Sequence, residues 1–261
     1  MARRRETIRP INGRIARLRQ ESVGTAVKVS GERATLITEF YSSGQAEGQS
    51  VPVQRALAFK YLMERVSIPV EDGQLIVGLR GTGPNEVPTF PEISTHTMAD
   101  LEALDSRSKM PYKVDGKTME LYRRTVIPFW NSTSMRDLIF SSLSKEWKDA
   151  YEAGIFTEFM EQRAPGHTAG GRRIYEIGVL DLKNEIHVAA AGLNPSDPNY
   201  SGGKEELKAM EIAADAIVAY ANRYATKLED MAGTEPDEVR KDPAIPLQLE
   251  RHAEIERAPA S

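Results

Sequence analysis

The residues best suited to chemistry in this sequence lie in 154–168, which read GIFTEFMEQRAPGHT. His167 follows a Pro-Gly turn, and Arg163 precedes that turn. A histidine can exchange a proton near neutral pH, and an arginine can hold a carboxylate through two parallel hydrogen bonds. Pro165 interrupts a regular helix, so we expect a short helix that ends in a turn presenting His167. The ordinary alternative is a surface turn whose charged side chains pair with their neighbours.

The composition limits the classes of function that are open to the chain. Its 261 residues carry a formal net charge of -4, with 40% hydrophobic and 28% charged residues, which is ordinary for a globular protein. Neither this charge nor any apolar run indicates nucleic acid or a membrane as a partner. The sequence contains no cysteine, which excludes disulfides, thiolate metal ligands and thiol nucleophiles within it. Its four histidines have no metal-ligand spacing, so we expect no metal site. The sequence shows no secretory signal and no membrane span, so we expect a cytoplasmic protein.

Hydrophobic periodicity predicts a mainly α chain with a few short strands. One strand is predicted in the apolar run QLIVGL at 74–79, which follows the turn signal Asp72-Gly73. Ser30, Ser50 and Ser144 are predicted N-caps. Pro128 is predicted to end one helix, and Gly154 is predicted to end the helix at 145–153. Thr234 is predicted to cap a further turn. The predicted helices cover residues 7–20, 32–43, 53–66, 98–104, 118–127, 134–143, 145–153, 173–190 and 204–231.

The pattern predicts two regions of different character. Helical periodicity recurs through much of residues 1–241. The tail 242–261 loses that periodicity and carries three prolines among polar residues. A truncated or frame-shifted product would end in this way, and so would one chain of a split enzyme.

A succession of short motifs runs through the chain in a fixed order. They are ERA at 32–34, TE at 38–39 with Tyr41, RAL at 55–57, LIVG at 75–78, PE at 91–92, IPFW at 127–130 and GHT at 166–168. In this order they resemble the N-terminal part of glycyl radical enzymes of the pyruvate formate-lyase type. The resemblance covers residues 7–241 and implies that residues 1–241 form the N-terminal part of one domain of this type. The runs at 75–93 and 150–168 are most similar to the branch of trans-4-hydroxy-L-proline dehydratases.

The resemblance implies a ten-stranded α/β barrel around two loops. One loop carries a glycine on which an S-adenosylmethionine radical activase installs a radical, and the other carries a cysteine that becomes a thiyl radical. A carboxylate two residues after that cysteine acts as a base in the dehydratases. This chain would supply only the N-terminal helical part of an incomplete barrel. It would hold no catalytic residue that we can assign and no bound cofactor, because both loops lie beyond its matched region.

The resemblance also implies roles for Phe159 and His167, and the chemistry of an arginine suggests a role for Arg163. Phe159 matches an aromatic residue that packs against the substrate ring, although it could equally be a core residue one turn after Phe156. His167 matches a pocket histidine that bonds the substrate or moves a proton, although its ring could instead satisfy the backbone of the turn. Arg163 could hold the substrate carboxylate or pair with Glu161.

The implied reaction in an intact relative begins with hydrogen abstraction from the carbon beside the ring nitrogen and ends with loss of the C4 hydroxyl as water. The chain alone is then expected to be inactive, with a small-molecule substrate, the activase and a C-terminal half on another chain as its partners. Three alternatives stay open. The chain could belong to a lyase for isethionate or a sulfonated diol, or to formate C-acetyltransferase. It could also be a non-catalytic helical protein that dimerises or binds a homologue.

Overall fold

The computed structural model describes residues 13–71, 74, 76–156 and 171–235. Helices dominate these ranges, so the prediction of a mainly α chain with a few short strands is confirmed. Of the sequence predictions, the first helix before residue 13, the Asp72-Gly73 turn and the tail 242–261 lie outside the described residues. The α-helices are α1 (Gly13–Gly24), α2 (Glu32–Ser42), α3 (Val51–Arg65), α4 (Met98–Ser106), α5 (Gly116–Leu121), α6 (Ile127–Trp130), α7 (Met135–Ser142), α8 (Lys145–Glu152), α9 (Val179–Ala191) and α10 (Tyr200–Thr234).

Two short strands pair in parallel. Strand β1 (Lys28–Ser30) lies beside β2 (Glu86–Pro88), and Val29 is in register with Val87. Lys28 also forms a bridge with Lys113, so both edges of β1 are occupied. The strand predicted at 74–79 is wrong, because the described residues of that run have no strand beside them and Ile76 is 87% exposed. Apolar content alone does not make a strand when no neighbour offers ladder hydrogen bonds.

The main core lies between α2, α3 and the chain from α5 to α6. Phe40, Leu62, Leu101, Tyr122 and Trp130 are all buried there. Two of these aromatic residues carry a polar atom into the core, and each atom has a partner. The Tyr122 hydroxyl donates to Thr89 Oγ1 at 2.6 Å, and Trp130 Nε1 donates to Thr38 Oγ1 at 2.8 Å. The polar atoms therefore add directional contacts to the core without a desolvation penalty.

A π-helical turn, Tyr122–Val126, joins α5 to α6. Within it the Ile127 N–H donates to the Tyr122 carbonyl, five residues back. Pro128 then lies in the first turn of α6, where its missing N–H costs no hydrogen bond. The prediction that Pro128 ends the helix is therefore wrong, since the π turn lets the chain continue to Trp130.

Several predicted helix boundaries needed correction. Ser30 belongs to β1, and Gly31 occupies the N-cap of α2. The helix predicted from residue 173 begins at Val179, because Gly171–Tyr175 forms a tight 3-10 turn first. Helix α10 begins at Tyr200 rather than 204, so packing overrides the low helix propensity of Gly202 and Gly203 there.

Other predicted signals hold, with one exception. Ser50 is the N-cap of α3 with Pro52 in its first turn, and the helices predicted at 98–104, 134–143 and 145–153 are confirmed. Thr234 is not an N-cap of a further turn. It is the last residue of α10, and its hydroxyl donates back to the Asp230 carbonyl at 3.1 Å.

Helix α10 connects distant parts of the chain. Arg223 donates to the carbonyl oxygens of Met63 and Val66 at 2.6 and 2.7 Å, and Lys227 donates to that of Ile68 at 2.5 Å. Arg223 thus binds the carboxyl end of α3, where helix carbonyls lack partners and carry partial negative charge. Lys227 binds the chain just after this helix. Among the described helices, α7, α8 and α9 contain no buried residue. No helix in the described ranges is both long and apolar enough to cross a membrane.

Candidate functional site

The three residues predicted to contact substrate, Phe159, Arg163 and His167, lie outside the described residues. The structure describes the chain up to Phe156 and again from Gly171. The candidate site is therefore defined by the elements that lead into this segment and by the groove beside them.

Helix α8 leads into the segment. Its N-cap, Ser144, accepts a hydrogen bond from the Trp147 N–H at 3.3 Å. Its end is marked by Gly154, whose φ of 71° is a left-handed conformation that glycine adopts without a steric penalty. The predicted cap and the predicted stop are both confirmed, so the sequence itself determines where the chain leaves α8.

An aromatic cluster surrounds this exit. Trp147 and Tyr151 stack with ring centroids 5.6 Å apart and an interplanar angle of 9°. Phe140 from α7 meets both rings edge-on at 5.4 and 5.3 Å, and Phe156 lies 4.8 Å from Trp147. Such contacts restrain ring orientation as well as burying apolar surface. The cluster thus fixes Phe156, which lies three residues before Phe159.

An open groove of about 610 Å³ adjoins the cluster and shares Tyr151 with it. The groove is lined by Ser94, Thr95, His96, Thr97, Asp100, Ala103, Leu104, Arg107, Arg136 and Tyr151. The guanidinium of Arg136 lies 4.1 Å above the centre of the Phe140 ring, which links the groove to the same cluster. The groove thus combines charged and aromatic groups next to the end of α8.

Asp100 is the acidic group of this groove. Its carboxylate accepts bonds from the Thr97 N–H and hydroxyl, both at 2.8 Å, in a capping box at the start of α4. Partial burial opposes ionisation, but these bonds prevail and lower the pKa of Asp100. With Arg107 and Arg136 close by, the groove has the charges to hold a small polar molecule, although the groups described there form no nucleophile–base pair.

The wall of the groove is positioned by contacts between two of the sequence motifs. Arg33 of the motif at 32–34 donates to Glu92 of the motif at 91–92 and to the Thr89 carbonyl at 3.0 Å. Its guanidinium also stacks 3.9 Å above the Phe90 ring. The Glu92 carbonyl in turn accepts from the Met135 N–H at 2.9 Å, at the start of α7. Arg33 therefore connects α2 to the helix that carries Arg136.

Sequence reasoning missed the groove residues His96, Asp100, Arg107 and Arg136. Only the T-x-x-D pattern at Thr97 was available as a local signal, and it indicates a helix start rather than a site. No group of three or more His, Asp or Glu residues in the described ranges is arranged to hold a metal ion.

The fold and the ordered motifs together define a class of protein. The chain belongs to the pyruvate formate lyase-like family, whose model matches residues 6–255. Among proteins of known activity, it is 44% identical to trans-4-hydroxy-L-proline dehydratase of Clostridioides difficile over 229 residues, or 87% of this chain and 29% of that protein. It is 27% identical to isethionate sulfite-lyase of Oleidesulfovibrio alaskensis, covering 98% of this chain and 31% of that protein.

Solved structures agree with this assignment. The crystal structure of hydroxyproline dehydratase from Clostridioides difficile with trans-4-hydroxy-L-proline bound matches with a TM-score of 0.86 and 42% identity, over 94% of this chain and 31% of that one. The B12-independent glycerol dehydratase from Clostridium butyricum matches with a TM-score of 0.82 and 25% identity, over 94% and 31% of the two chains. The chain thus spans about three tenths of the length of these relatives, and the resemblance seen in the motifs is confirmed.

Proposed function

We propose that this chain is the N-terminal part of a glycyl radical dehydratase whose substrate is trans-4-hydroxy-L-proline. The observation that carries the proposal is the 44% identity to the dehydratase with that substrate, against 27% to isethionate sulfite-lyase. A sulfonate lyase or an acetyltransferase of the same family is the second candidate within the enzyme class.

In this proposal the segment after α8 contributes one wall of the substrate pocket. Phe159 packs against the pyrrolidine ring, His167 bonds the substrate or moves a proton, and Arg163 holds the carboxylate. The aromatic cluster at the end of α8 supports these roles, because it restrains the chain three residues before Phe159. A short connection of that kind keeps a binding side chain in place more effectively than a long loop.

The radical chemistry requires groups that are not among these 261 residues. No cysteine is present to form a thiyl radical. The proposal therefore assigns the thiyl cysteine and the radical glycine to the region that lies beyond the match in the longer relatives. An S-adenosylmethionine radical activase would install the glycyl radical there. The purified chain should show no dehydration of trans-4-hydroxy-L-proline after anaerobic activation, and turnover by the chain alone would contradict the proposal.

A chimera tests the substrate directly. The matched residues of the Clostridioides difficile dehydratase would be replaced by those of this chain, and the product activated anaerobically. We expect dehydration of trans-4-hydroxy-L-proline and no sulfite release from isethionate. Activity on isethionate instead would favour the second candidate. A folded, activated chimera with neither activity would favour a non-catalytic helical protein.

Site variants of the chimera test the pocket residues. We expect His167→Gln to lower kcat/KM by roughly 100-fold, as for loss of a general acid or base. Phe159→Leu and Arg163→Gln should act mainly through KM. The control is His187→Gln, since His187 lies on α9 and bonds Glu211 at the surface. Equal activity of the His167 and His187 variants would remove His167 from the pocket.

A further inference from the structure

We propose that the groove along α4 binds a small linear dicarboxylate, with one carboxylate at Arg107 and the other at Arg136. We call this feature the α4 groove, which is the opening of about 610 Å³ that Tyr151 borders. The inference uses none of the residues assigned to the substrate pocket, and it does not depend on the proposed function.

The shape of the α4 groove comes from one side of α4. Four of the lining residues are Asp100, Ala103, Leu104 and Arg107. Residues spaced in this way, three, four and seven positions apart, share one face of a helix. Asp100 and Arg107 therefore lie roughly 10 Å apart along the helix axis. The site is elongated, and the apolar side chains of Ala103 and Leu104 lie between its two polar ends.

One end of the α4 groove is formed by Arg107, whose side chain is held in two places. Its Nε donates to the Met110 carbonyl at 2.7 Å, and its guanidinium lies 4.9 Å from the centre of the Tyr112 ring. Within the described ranges, Arg107 belongs to no ion pair, and its two terminal nitrogens have no acceptor. These nitrogens are parallel donors of the kind that bind a carboxylate.

The other end of the α4 groove is formed by Arg136 beside Asp100. The guanidinium of Arg136 lies 4.1 Å above the Phe140 ring, and this contact restrains its position. Asp100 Oδ2 accepts both hydrogen bonds from Thr97, so the negative charge of this end is already bound within the capping box. His96 adds a further group that can carry positive charge. An incoming carboxylate therefore meets an arginine at this end too.

Charge and shape together select the class of ligand. Arginines at two ends of an elongated groove match two separate acid groups, whereas a phosphate carries its charges on a single group. Methylene groups between the two acids would lie against Ala103 and Leu104 and leave water. Elsewhere in the described chain, arginines are paired with carboxylates of the protein itself, as Arg173 is with Glu185. A linear dicarboxylate would supply the partner that Arg107 lacks within the described ranges.

Titration of the 261-residue chain with adipate tests the inference. The chain has two tryptophans, and each gives one indole N–H signal in a nitrogen-15 NMR spectrum. Trp147 stacks on Tyr151 at the edge of the α4 groove, whereas Trp130 donates to Thr38 in the core. We expect the Trp147 signal to shift saturably and the Trp130 signal to stay in place. Trp147→Phe assigns the two signals.

Other compounds separate the possible causes of such a shift. The neutral diol 1,6-hexanediol has the same carbon chain without charge and should not bind. Acetate should bind at least about tenfold more weakly than adipate, because the second carboxylate of adipate binds as part of the same molecule. Inorganic phosphate should also bind at least about tenfold more weakly, since it engages one end only. Added sodium chloride should weaken adipate binding by screening the charges.

Arginine variants locate the site. Arg107→Gln and Arg136→Gln should each weaken adipate binding at least about tenfold, because each removes a charged hydrogen-bonded pair. Arg65→Gln is the matched control, since Arg65 also ends a helix and lies 3.8 Å above a tyrosine ring, that of Tyr61, but does not line the groove. Arg107→Lys should lose part of the affinity, because it keeps the charge without the parallel donors. An unchanged Trp130 signal verifies that each variant is folded.

The outcomes decide the question without any measurement of catalysis. A saturable shift of Trp147, together with weaker binding in both groove variants, supports the inference. An unmoved Trp147 signal, equal affinity for acetate or phosphate, or equal weakening by Arg65→Gln would overturn it. Failure of this binding test would leave the proposed function unaffected, and an inactive chimera would leave the α4 groove unaffected.

Discussion

The region from α2 to α6 and the region from α7 to α9 are built from the same local signals but differ in what they bury. Both have capped helices and contacts between aromatic rings. In the first region Phe40, Tyr122 and Trp130 are buried, whereas no residue of α7, α8 or α9 is. Caps and ring contacts are therefore sufficient to define helices, while a closed core needs layers on both sides.

The largest expected effect is loss of an aromatic side chain from the closed core. Phe40→Ala should lower the free energy of unfolding by about 3–5 kcal/mol, because Phe40 is only 2% exposed and leaves a cavity. Trp147→Ala, in the half-buried cluster of α8, should cost less than about 2 kcal/mol despite the larger side chain. Urea unfolding measures both, and equal losses would remove the distinction between the two regions.

Alkaline pH should weaken the closed core through Tyr122. Burial raises the pKa of its hydroxyl to about 12. The unfolded tyrosine ionises near pH 10, so the unfolded state loses its proton first. Stability from this group is thus complete below about pH 10 and falls by roughly 2–3 kcal/mol toward pH 12. Unfolding from pH 9 to 12 should show a smaller fall for Tyr122→Phe, and parallel curves would contradict the prediction.

The Arg33–Glu92 pair should matter more than an exposed ion pair. Arg33→Met leaves Glu92 without its cation at a site where both side chains are about one fifth exposed, and we expect a loss of about 2 kcal/mol. Arg124→Met removes a pair with Glu120 in which the arginine side chain is 78% exposed, and it should cost less than about 0.5 kcal/mol. Thermal unfolding of both variants checks the difference, which would be absent if Glu92 were fully solvated.

The smallest effect compares two serine N-caps. Ser134 is 1% exposed and caps α7, next to the closed core, whereas Ser144 caps the more exposed α8. Ser134→Ala should cost about 1–2 kcal/mol and Ser144→Ala about 0.5–1 kcal/mol. Denaturant midpoints measure both. A larger loss at Ser144 would indicate that the second region is already closed in the isolated chain.

The sequence predicted features that depend on neighbouring residues. Ser144 and Gly154 both act where local patterns placed them, because caps and stops are decided within one helical turn. Ser50 occupies its predicted N-cap position without a side-chain capping bond. The strand predicted at 74–79 and the helix end predicted at Pro128 were wrong. A strand depends on a distant partner, and both edges of β1 are already occupied. The helix end was changed by the π turn just before Pro128, which no local pattern indicated.

For the candidate site, the sequence indicated the motifs but not the contacts that join them. Arg33 and Glu92 were recognised as parts of motifs, but nothing local indicates that the two side chains meet across 59 residues. The segments that carry His96 and Arg136 are joined by the Met135 and Arg136 N–H groups, which donate to the Glu92 and Ile93 carbonyls. The roles of Phe159, Arg163 and His167 stay predictions, since those residues lie outside the described ranges.

The contacts of α10 with the end of α3 also bear on the order of folding. The Met63 carbonyl receives its proton donor from Arg223, 160 residues later in the chain. During synthesis α3 emerges long before this arginine does, so its last turn stays hydrated and frayed until α10 arrives. Closing so long a loop is slow compared with forming a helix. We therefore expect the end of α3 to become protected from hydrogen exchange late in refolding, together with α10.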